Sequence, residues 1–242
     1  MDRMIYLAMS GAKAAMQRQE SLANNLANAS TVGFRAELQA FRALPMEGLS
    51  TGPSSRVYAL ESTPGYKAEP GPITTTGRNL DVAMVGHAWL SVQALDGSEA
   101  YTRAGALNVA ADGTLTTAQG LPVLGDGGPI QVPANSEISV GQDGTVSAAV
   151  NGRSNPVGRM KLVTPELALT RGEDGLFRNP EGPLPGDTNA RLREGALEGS
   201  NVNPVECMVA MIAAARHFET QMKLLQNAEG NEKASSQLLN LS

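Results

Sequence analysis

The chain has 242 residues and a formal net charge of −5 at pH 7, and its aromatic content is only 4%. This acidic balance, without any run of Lys and Arg, excludes sequence-independent binding to nucleic acid. The single cysteine, Cys207, excludes an intramolecular disulfide framework and a cysteine-based zinc site.

An alanine- and methionine-rich stripe predicts a helix over about the first 30 residues. The helix is expected to end near Gly33, which can adopt the left-handed conformation of a cap. Asn24, Asn25 and Asn28 are poor fillers for a solvent-facing helix, so we expect their side chains to fix the register of a packed seam; a fraying helix end is the alternative. The apolar positions of the stripe are Met1, Ile5, Ala8, Ala12, Ala15, Leu22 and Leu26.

Residues 36–77 lose this periodicity and are rich in proline and glycine. The stretch is too long for an ordinary loop, and its apolar residues are too frequent for a purely solvated linker. We therefore expect an extended connecting segment that docks on another surface, with a disordered linker as the alternative.

Residues 78–197 consist of short apolar runs separated by turn signals, which predict an all-β domain. Tight turns favour antiparallel pairing, and we expect a barrel or a sandwich. Strands are expected at 80–85, 89–94, 99–103, 106–109, 115–117, 130–132, 138–140, 146–150, 157–163 and 167–171. The turn signals are Asp96-Gly97, Asp112-Gly113, Asp126-Gly127, Asp143-Gly144, Asn151-Gly152 and Asp174-Gly175.

A second long helix is predicted within residues 198–242. Asn203 can cap its first turn, Pro204 suits the first helical position, and Glu206 lies where a capping box places an acid. An apolar seam follows at alternating spacings of three and four, which is typical of a helix that packs against another helix. The seam residues are Met208, Met211, Ala215, Phe218, Met222 and Leu225.

The predicted fold class is therefore α+β. Two terminal helices, in residues 1–35 and 198–242, form a helical layer, while residues 36–77 connect it to the antiparallel all-β domain of residues 78–197. A helix alone is marginal in water, so each end of the chain needs the other end or a neighbouring molecule. This organisation favours a subunit of an assembly over a free-standing enzyme.

No constellation of catalytic or metal-binding residues emerges from the sequence. His87 and His217 have no Cys, Ser or carboxylate at triad or metal-ligand spacing. We therefore predict no catalytic site, cofactor, metal or small-molecule substrate. We also expect no membrane insertion, because no apolar run approaches about 20 residues, and no signal peptide, because Asp2 and the polar residues from Lys13 to Glu20 interrupt one.

Four blocks of the sequence resemble the flagellar rod and hook family of axial proteins. The blocks occur in the family's order over nearly the whole chain, which makes the resemblance specific. The start of the chain, the Pro45-Met46-Glu47-Gly48-Leu49 stretch and Trp89-Leu90 are similar to the proximal rod class within that family. The four blocks are Ser21 to Arg35, Asn79 to Ala83 with Tyr101 to Gly105, Gly125 to Ile130, and Leu197 to Glu206.

The resemblance implies a structural subunit of the bacterial flagellar basal body. In such a rod the terminal helices form an inner coiled-coil layer around an axial channel, and the β domain lies outside it. The implied partners are copies of the chain, other proximal and distal rod proteins and the flagellar type III export apparatus. The implied location is the periplasmic rod, where the subunit transmits torque from the motor to the hook and filament.

The resemblance also marks interface residues in both signature segments. Distal rod or hook-type subunits of the same family are the near alternative, and a secreted β-rich binding module is the distant one. The marked residues are Asn24, Asn25, Leu26, Asn28, Gly33 and Phe34 at the N-terminal side and Gly199, Ser200, Asn201, Val202 and Asn203 at the C-terminal side; to these we add Leu22 and the six seam residues above.

Overall fold

The computed structural model describes residues 2–38, 41–45, 57–61, 65–134, 136–150 and 153–239. It contains two long helices, α1 (Asp2–Ala27) and α2 (Pro204–Leu239), one at each end of the chain. The strands between them are β1 (Glu37–Leu38), β2 (Phe41–Pro45), β3 (Val57–Glu61), β4 (Gly65–Tyr66), β5 (Ile73–Thr75), β6 (Val82–Met84), β7 (Trp89–Gln93), β8 (Glu99–Thr102), β9 (Leu107–Val109), β10 (Leu115–Thr117), β11 (Leu124–Gly125), β12 (Gly128–Pro129), β13 (Glu137–Val140), β14 (Thr145–Val150), β15 (Arg153–Arg159), β16 (Leu162–Val163), β17 (Thr170–Arg171), β18 (Phe177–Arg178), β19 (Leu192–Glu194) and β20 (Ala196–Glu198).

The chain divides into two compact units. The helical unit consists of Met1–Ala27, Glu37–Gly65 and Asn203–Ser242, and the β unit consists of Asn28–Ala36 and Tyr66–Val202. The segment after α1 therefore groups with the strands, and so does the segment that precedes α2. The domain boundaries expected at residues 35, 77 and 197 stay a prediction.

In the helical unit, α1 and α2 pack against each other, as their apolar stripes predict. Small residues on α1 allow this approach, because Ala8, Ala12 and Ala15 are buried and a Cβ at Gly11 would lie 2.9 Å from the Gln221 side chain. Strands β2 and β3, from the segment predicted to be extended, pair antiparallel in the same unit.

Within the chain, the predicted seam of α2 is buried unevenly. Its members Met211, Ala215, Phe218, Met222 and Leu225 are half-buried, but Met208 is 51% exposed. Among the α2 residues whose burial the structure describes, Ala214 is the one that is buried. The inward stripe passes one position away from Met208, because 3.6 residues per turn shift a regular spacing of three and four sideways along a straight helix.

The β unit contains a five-stranded antiparallel sheet in the order β16, β7, β8, β18, β17. Strands β13, β14 and β15 form a three-stranded sheet, with a bulge between Val146 and Ser147. Strand β19 pairs with β6, and β20 pairs with β5, so the last two strands return beside the beginning of the unit. In the described part of the chain the sheets are small, and none closes into a barrel, which was one of the two architectures expected from the sequence.

The core of the β unit is aliphatic and spans most of these strands. It includes Val82, Leu90, Val92, Leu107 and Leu115, all fully buried. A second cluster joins Trp89, Tyr101 and Phe177 with the Tyr66 ring, whose centroid lies 4.8 Å from that of Phe177. Burial raises the pKa of Tyr101 to about 12, and its hydroxyl oxygen accepts a hydrogen bond from the Leu184 N–H.

Most of the predicted turns are confirmed. Gly97, Gly113, Gly144 and Gly175 all have positive φ, which explains the glycine that follows each aspartate. The turn predicted at Asp126-Gly127 is shifted, since Gly128 takes the positive φ at 114°. The Asn151-Gly152 signal lies outside the described residues.

Several strands differ from their predicted extent. The run expected at 167–171 narrows to β17, and 157–163 is divided between the end of β15 and β16. The sequence reading missed β18, β19 and β20, which are only two or three residues long. Such short strands have too few alternations to register as a period of two.

Candidate functional site: the junction of the signature segments

A buried ion-pair cluster lies where the two signature segments meet in the β unit. Glu198, at the end of β20, is fully buried, and so are Arg35 and Arg103. The Glu198 Oε1 lies 2.7 Å from Arg35 Nη1, while its Oε2 accepts hydrogen bonds from Arg103 Nε, at 2.9 Å, and from Arg103 Nη2. One carboxylate therefore binds two guanidinium groups, one from the segment after α1 and one from the middle of the β unit.

Main-chain groups complete the cluster. The N–H of Gly33 donates to the Glu198 carbonyl at 2.7 Å, and the N–H of Gly71 donates to Glu198 Oε1 at 3.0 Å. Arg35 Nη1 also donates to the carbonyl of Glu69, at 2.7 Å. Glu198 thus connects the segment after α1, the strand that precedes α2 and the start of the connection to β5.

Arg103 is held from the other side by carbonyl groups of the β6–β7 region. Its Nη2 donates to the Met84 carbonyl at 3.2 Å, and its Nη1 donates to the Ala88 carbonyl. The Trp89 ring lies about equally far from both guanidinium groups, with its centroid 5.9 Å from Arg103 Cζ and 6.0 Å from Arg35 Cζ. All three guanidinium nitrogens of Arg103 are therefore paired, which lowers the cost of burying its charge.

The electrostatics of the cluster are unbalanced, because two buried cations share one anion. Burial lowers the pKa of Arg35 and of Arg103, and the Glu198 carboxylate opposes that shift in both. Guanidinium groups stay protonated in proteins, so the cluster keeps a net positive charge. Among the described residues, the buried Nε of Arg35 has no hydrogen-bond partner.

The two glycines of the cluster are required by close approach. Gly33 has a φ of 71°, and a Cβ there would lie 2.3 Å from the Arg103 carbonyl carbon and the Ala104 nitrogen. A Cβ at Gly71 would lie 2.1 Å from the Gly199 carbonyl oxygen. Both distances are far inside van der Waals contact, so no other residue fits without a backbone shift.

Asn201 ties three backbone segments together beside this cluster. Its Oδ1 accepts from the Ala36 N–H at 2.7 Å, and its Nδ2 donates to the carbonyls of Lys67 and Glu69 at 2.9 and 2.8 Å. The neighbouring Phe34 is buried, with the Arg171 guanidinium 4.5 Å from its ring centroid. The Asn201 amide therefore connects the segment that ends at Ala36 to the backbone of residues 67–69.

Asn25 makes a similar bridge within the helical unit. It is buried on α1, its Nδ2 donates to the Glu37 carbonyl at 2.9 Å, and its Oδ1 accepts from the Glu37 N–H at 2.8 Å. These bonds attach Asn25 to strand β1 within the chain. The role of the asparagines in fixing the register of a packed helix seam stays a prediction. Asn24 is exposed, and Asn28 Oδ1 accepts from the Thr31 hydroxyl at 3.1 Å.

Asn203 begins α2 as predicted. Its Oδ1 accepts from the N–H groups of Val205 and Glu206 at 3.1 and 3.3 Å. Ser200 and Val202, which precede Asn203 in the C-terminal signature segment, are buried. The Ser200 hydroxyl oxygen accepts a hydrogen bond from the Val202 N–H at 3.2 Å. The side-chain cap satisfies N–H groups that have no partner within the helix.

The structure thus gives most of the predicted site residues a place within the chain. Gly33, Phe34, Gly199, Ser200 and Asn201 come together around Glu198, whereas Leu22 and Leu26 are half-buried on α1. Their assignment to contacts between subunits stays a prediction.

The sequence reading missed the charged centre of the site. Arg35, Arg103 and Glu198 each lie inside one of the blocks that carry the family resemblance, but none of them was predicted as a site residue. A usable signal was present for Arg103 and Glu198, since each is a single charged residue within a run of small, apolar or neutral residues. Such residues are rarely fully buried unless they are paired.

Among the residues that the structure describes, no group of three His, Cys, Asp or Glu side chains could hold a metal ion. Neither α1 nor α2 is long and apolar enough, over its described residues, to cross a membrane.

Comparison with known proteins places these segments in families. Residues 5–35 match the family "Flagella basal body rod protein", residues 83–148 match "Flagellar hook protein FlgE/F/G D1 domain", and residues 193–238 match "Flagellar basal body rod FlgEFG protein C-terminal". The first and last matches contain Arg35 and Glu198, and the middle one contains Arg103. Each charged residue of the cluster therefore comes from a different family segment.

Individual relatives extend the match to the whole chain. The flagellar basal-body rod protein FlgF of Salmonella typhimurium is 48% identical over 254 aligned residues, which cover 100% of both chains, and FlgF of Escherichia coli is 47% identical over the same span. The rod protein FlgG of Agrobacterium fabrum is 30% identical over 94% of this chain and 95% of its own.

Two terminal helices, a β unit between them and the three family matches define a flagellar axial protein. Identity at this level over full length is specific within that class. The chain belongs to the FlgF family of flagellar basal-body rod proteins, and it is a structural protein of the basal-body rod.

Proposed function

We propose that the chain assembles helically as a subunit of the proximal rod and transmits torque from the motor to the hook and filament. Its terminal helices form a coiled-coil layer with those of neighbouring subunits, and it has no catalytic role. The higher identity to the FlgF relatives than to FlgG supports the proximal position over a distal-rod or hook-type one.

The observation that carries this proposal is an apolar surface left exposed at the start of α2. Val205, Met208, Val209 and Ile212 are 70, 51, 63 and 56% exposed. They recur at spacings of three and four, so they share one side of the helix. This helix-start patch needs a partner, because contiguous exposed apolar residues mark interaction sites on soluble proteins.

The first helix contributes exposed apolar residues as well. Tyr6, Met9 and Met16 are each a little over half exposed, although other residues of α1 are buried against α2. Methionine side chains adapt to neighbours of slightly different shape, which suits a surface that meets non-identical subunits. Copies of the chain and other rod proteins are the proposed partners of both surfaces.

A heterologous interface between copies that does not close into a ring generates a helical tube. We propose that this is how the rod elongates from the chain's own surfaces. We also propose that the flagellar type III export apparatus delivers the chain.

The test introduces a charge into the helix-start patch. Ile212→Asp is expected to abolish swimming when the variant replaces FlgF in a strain that lacks its own copy, while the purified variant keeps the wild-type circular dichroism and melting temperature. Leu95→Asp is the matched control, since Leu95 is 96% exposed in a turn of the β unit and should tolerate the same change. Normal swimming with Ile212→Asp would contradict the assignment of this patch to assembly.

A further inference from the structure

A surface groove of about 610 Å³ lies in the β unit, between the loop after β16 and the turn after β18. Apolar side chains contribute much of its lining, including Pro165, Leu167, Leu184 and Pro185. Leu167 is 64% exposed, so this apolar surface is open to a partner. The volume is within the range of about 300 to 1,000 Å³ that is typical of binding sites.

The groove is held open by hydrogen bonds within the chain. The Thr164 hydroxyl donates to Asp187 Oδ2 at 2.7 Å, and the Asp187 N–H donates to the Leu162 carbonyl at 2.7 Å. On the other wall, the Leu184 N–H donates to the buried Tyr101 hydroxyl at 2.7 Å. A partner therefore meets a preformed surface and does not have to order it.

The polar groups of the groove carry negative charge. Glu166, Glu181 and Asp187 line it, and no Lys or Arg does. Within the described part of the chain, neither glutamate forms an ion pair. Hydrogen bonds from Thr164 and from the Asn189 N–H lower the pKa of Asp187, to which Arg191 adds, so this carboxyl is ionised at neutral pH.

We propose that this groove binds an extended segment of another protein in which a Lys or Arg adjoins a branched apolar residue. The apolar residue would cover Leu167 and the prolines, and the cation would pair with Glu166 and Glu181. A second copy of the chain is a poorer occupant, because its net charge of −5 opposes approach to an acidic surface. The groove is distinct from the helix-start patch, and this inference does not depend on it.

The test titrates the 15N-labelled full chain with the peptide acetyl-Leu-Lys-Leu-amide and follows amide chemical shifts. We expect saturable shifts at residues 164–167 and 181–187, and weaker ones with acetyl-Leu-Gln-Leu-amide. Replacing both Glu166→Gln and Glu181→Gln should weaken binding of the lysine peptide about five- to tenfold, since partly exposed charge pairs are each modest. The variant Glu137→Gln with Glu194→Gln makes the same charge change at exposed residues outside the groove and should bind normally.

Three outcomes would overturn the proposal. Shifts that are absent, or that do not saturate, would show that the groove binds no such segment. Equal affinity for the lysine and glutamine peptides would remove the role of the carboxylates. Concentration-dependent shifts at the same residues without any peptide would identify a second copy of the chain as the occupant.

Discussion

Glu198 is the residue on which the cluster most depends, because it is the anion that both guanidinium groups share. Its replacement by glutamine keeps the shape but leaves Arg35 and Arg103 as two buried cations without a counter-charge. Removing one partner of a buried ion pair costs about 3 to 5 kcal/mol. We expect Glu198→Gln to lower the free energy of unfolding of the β unit by this amount, as measured by urea denaturation.

The control for this substitution is Glu194→Gln, which makes the same chemical change at an exposed residue of β19. It should move the urea midpoint very little, since surface substitutions usually change stability by less than about 0.5 kcal/mol. A similarly small effect of Glu198→Gln would show that the cluster does not stabilise the unit.

Gly33 gives a second prediction at the residue scale. The energetic cost of its positive φ can be measured separately from the cost of its close approach to Arg103 and Ala104. Gly33→Ala should cost about 1 to 2 kcal/mol for the left-handed conformation, and about 1 to 3 kcal/mol more for the contact with Arg103 and Ala104. Gly86→Ala is the matched variant, since Gly86 has a φ of 64° with nothing within 4 Å of an added Cβ. Equal losses of stability in the two variants would refute the close-approach explanation.

The turns are the elements that the sequence predicted best. The aspartates of the turns at Gly97, Gly113, Gly144 and Gly175 accept a hydrogen bond from the N–H two residues further on, and a glycine with positive φ stands between. Every contribution to such a turn is local, so a dipeptide is enough to identify it.

The cluster around Glu198 was not predicted because it depends on contacts between residues far apart in sequence. No local sequence pattern indicates that Arg35, Arg103 and Glu198 share one buried site, although the blocks that contain them were recognised from the sequence. The division of the chain at residues 27 and 202 has the same origin, since the N–H groups of Gly33 and Ala36 donate hydrogen bonds to Glu198 and Asn201 and so attach the segment after α1 to the β unit. Helix periodicity predicted α1 and α2. It did not distinguish whether Met208 lies on the packed side or on the exposed side of α2.

The turn aspartates also predict how stability depends on pH. The Thr145 hydroxyl and N–H lower the pKa of Asp143 in the folded state. Because the folded pKa is below the unfolded value of about 3.9, the stabilisation is complete above that value and is lost as pH falls through the folded pKa. The Asp96, Asp112 and Asp174 carboxyls, with similarly lowered pKa values, act in the same direction.

We therefore expect the melting temperature of the chain to fall between pH 4 and pH 3, and to fall less in Asp143→Asn, whose side chain does not titrate. Thr145→Val removes the hydroxyl donor and should reduce the acid loss in the same way. An acid-induced decrease in melting temperature that is identical in the wild type and in both variants would show that this turn makes no contribution.

At the scale of the whole molecule, different contacts stabilise the terminal helices and the segment that follows α1. The helices are stabilised by packing along α1 and α2 and by the Asn203 cap, whereas the segment of residues 28–36 is bound within the β unit through Gly33, Arg35 and Ala36. We therefore expect the helices to unfold while the signature segment next to them stays folded. Unfolding of the helices without the β unit would be a case of local unfolding.

Native-state hydrogen exchange on the full chain tests this division directly. The amides of Gly33 and Ala36, which donate to Glu198 and Asn201, should exchange with the same free energy as the core amide of Leu115, and the Cys207 amide of α2 should belong to a separate transition. Ala12→Pro in α1 should cost about 3 kcal/mol in the helical transition, because proline disrupts a helix interior, and should leave Gly33 and Ala36 unchanged. If those two amides instead lose protection together with Cys207, the segment after α1 is stabilised by the helices and not by the buried cluster.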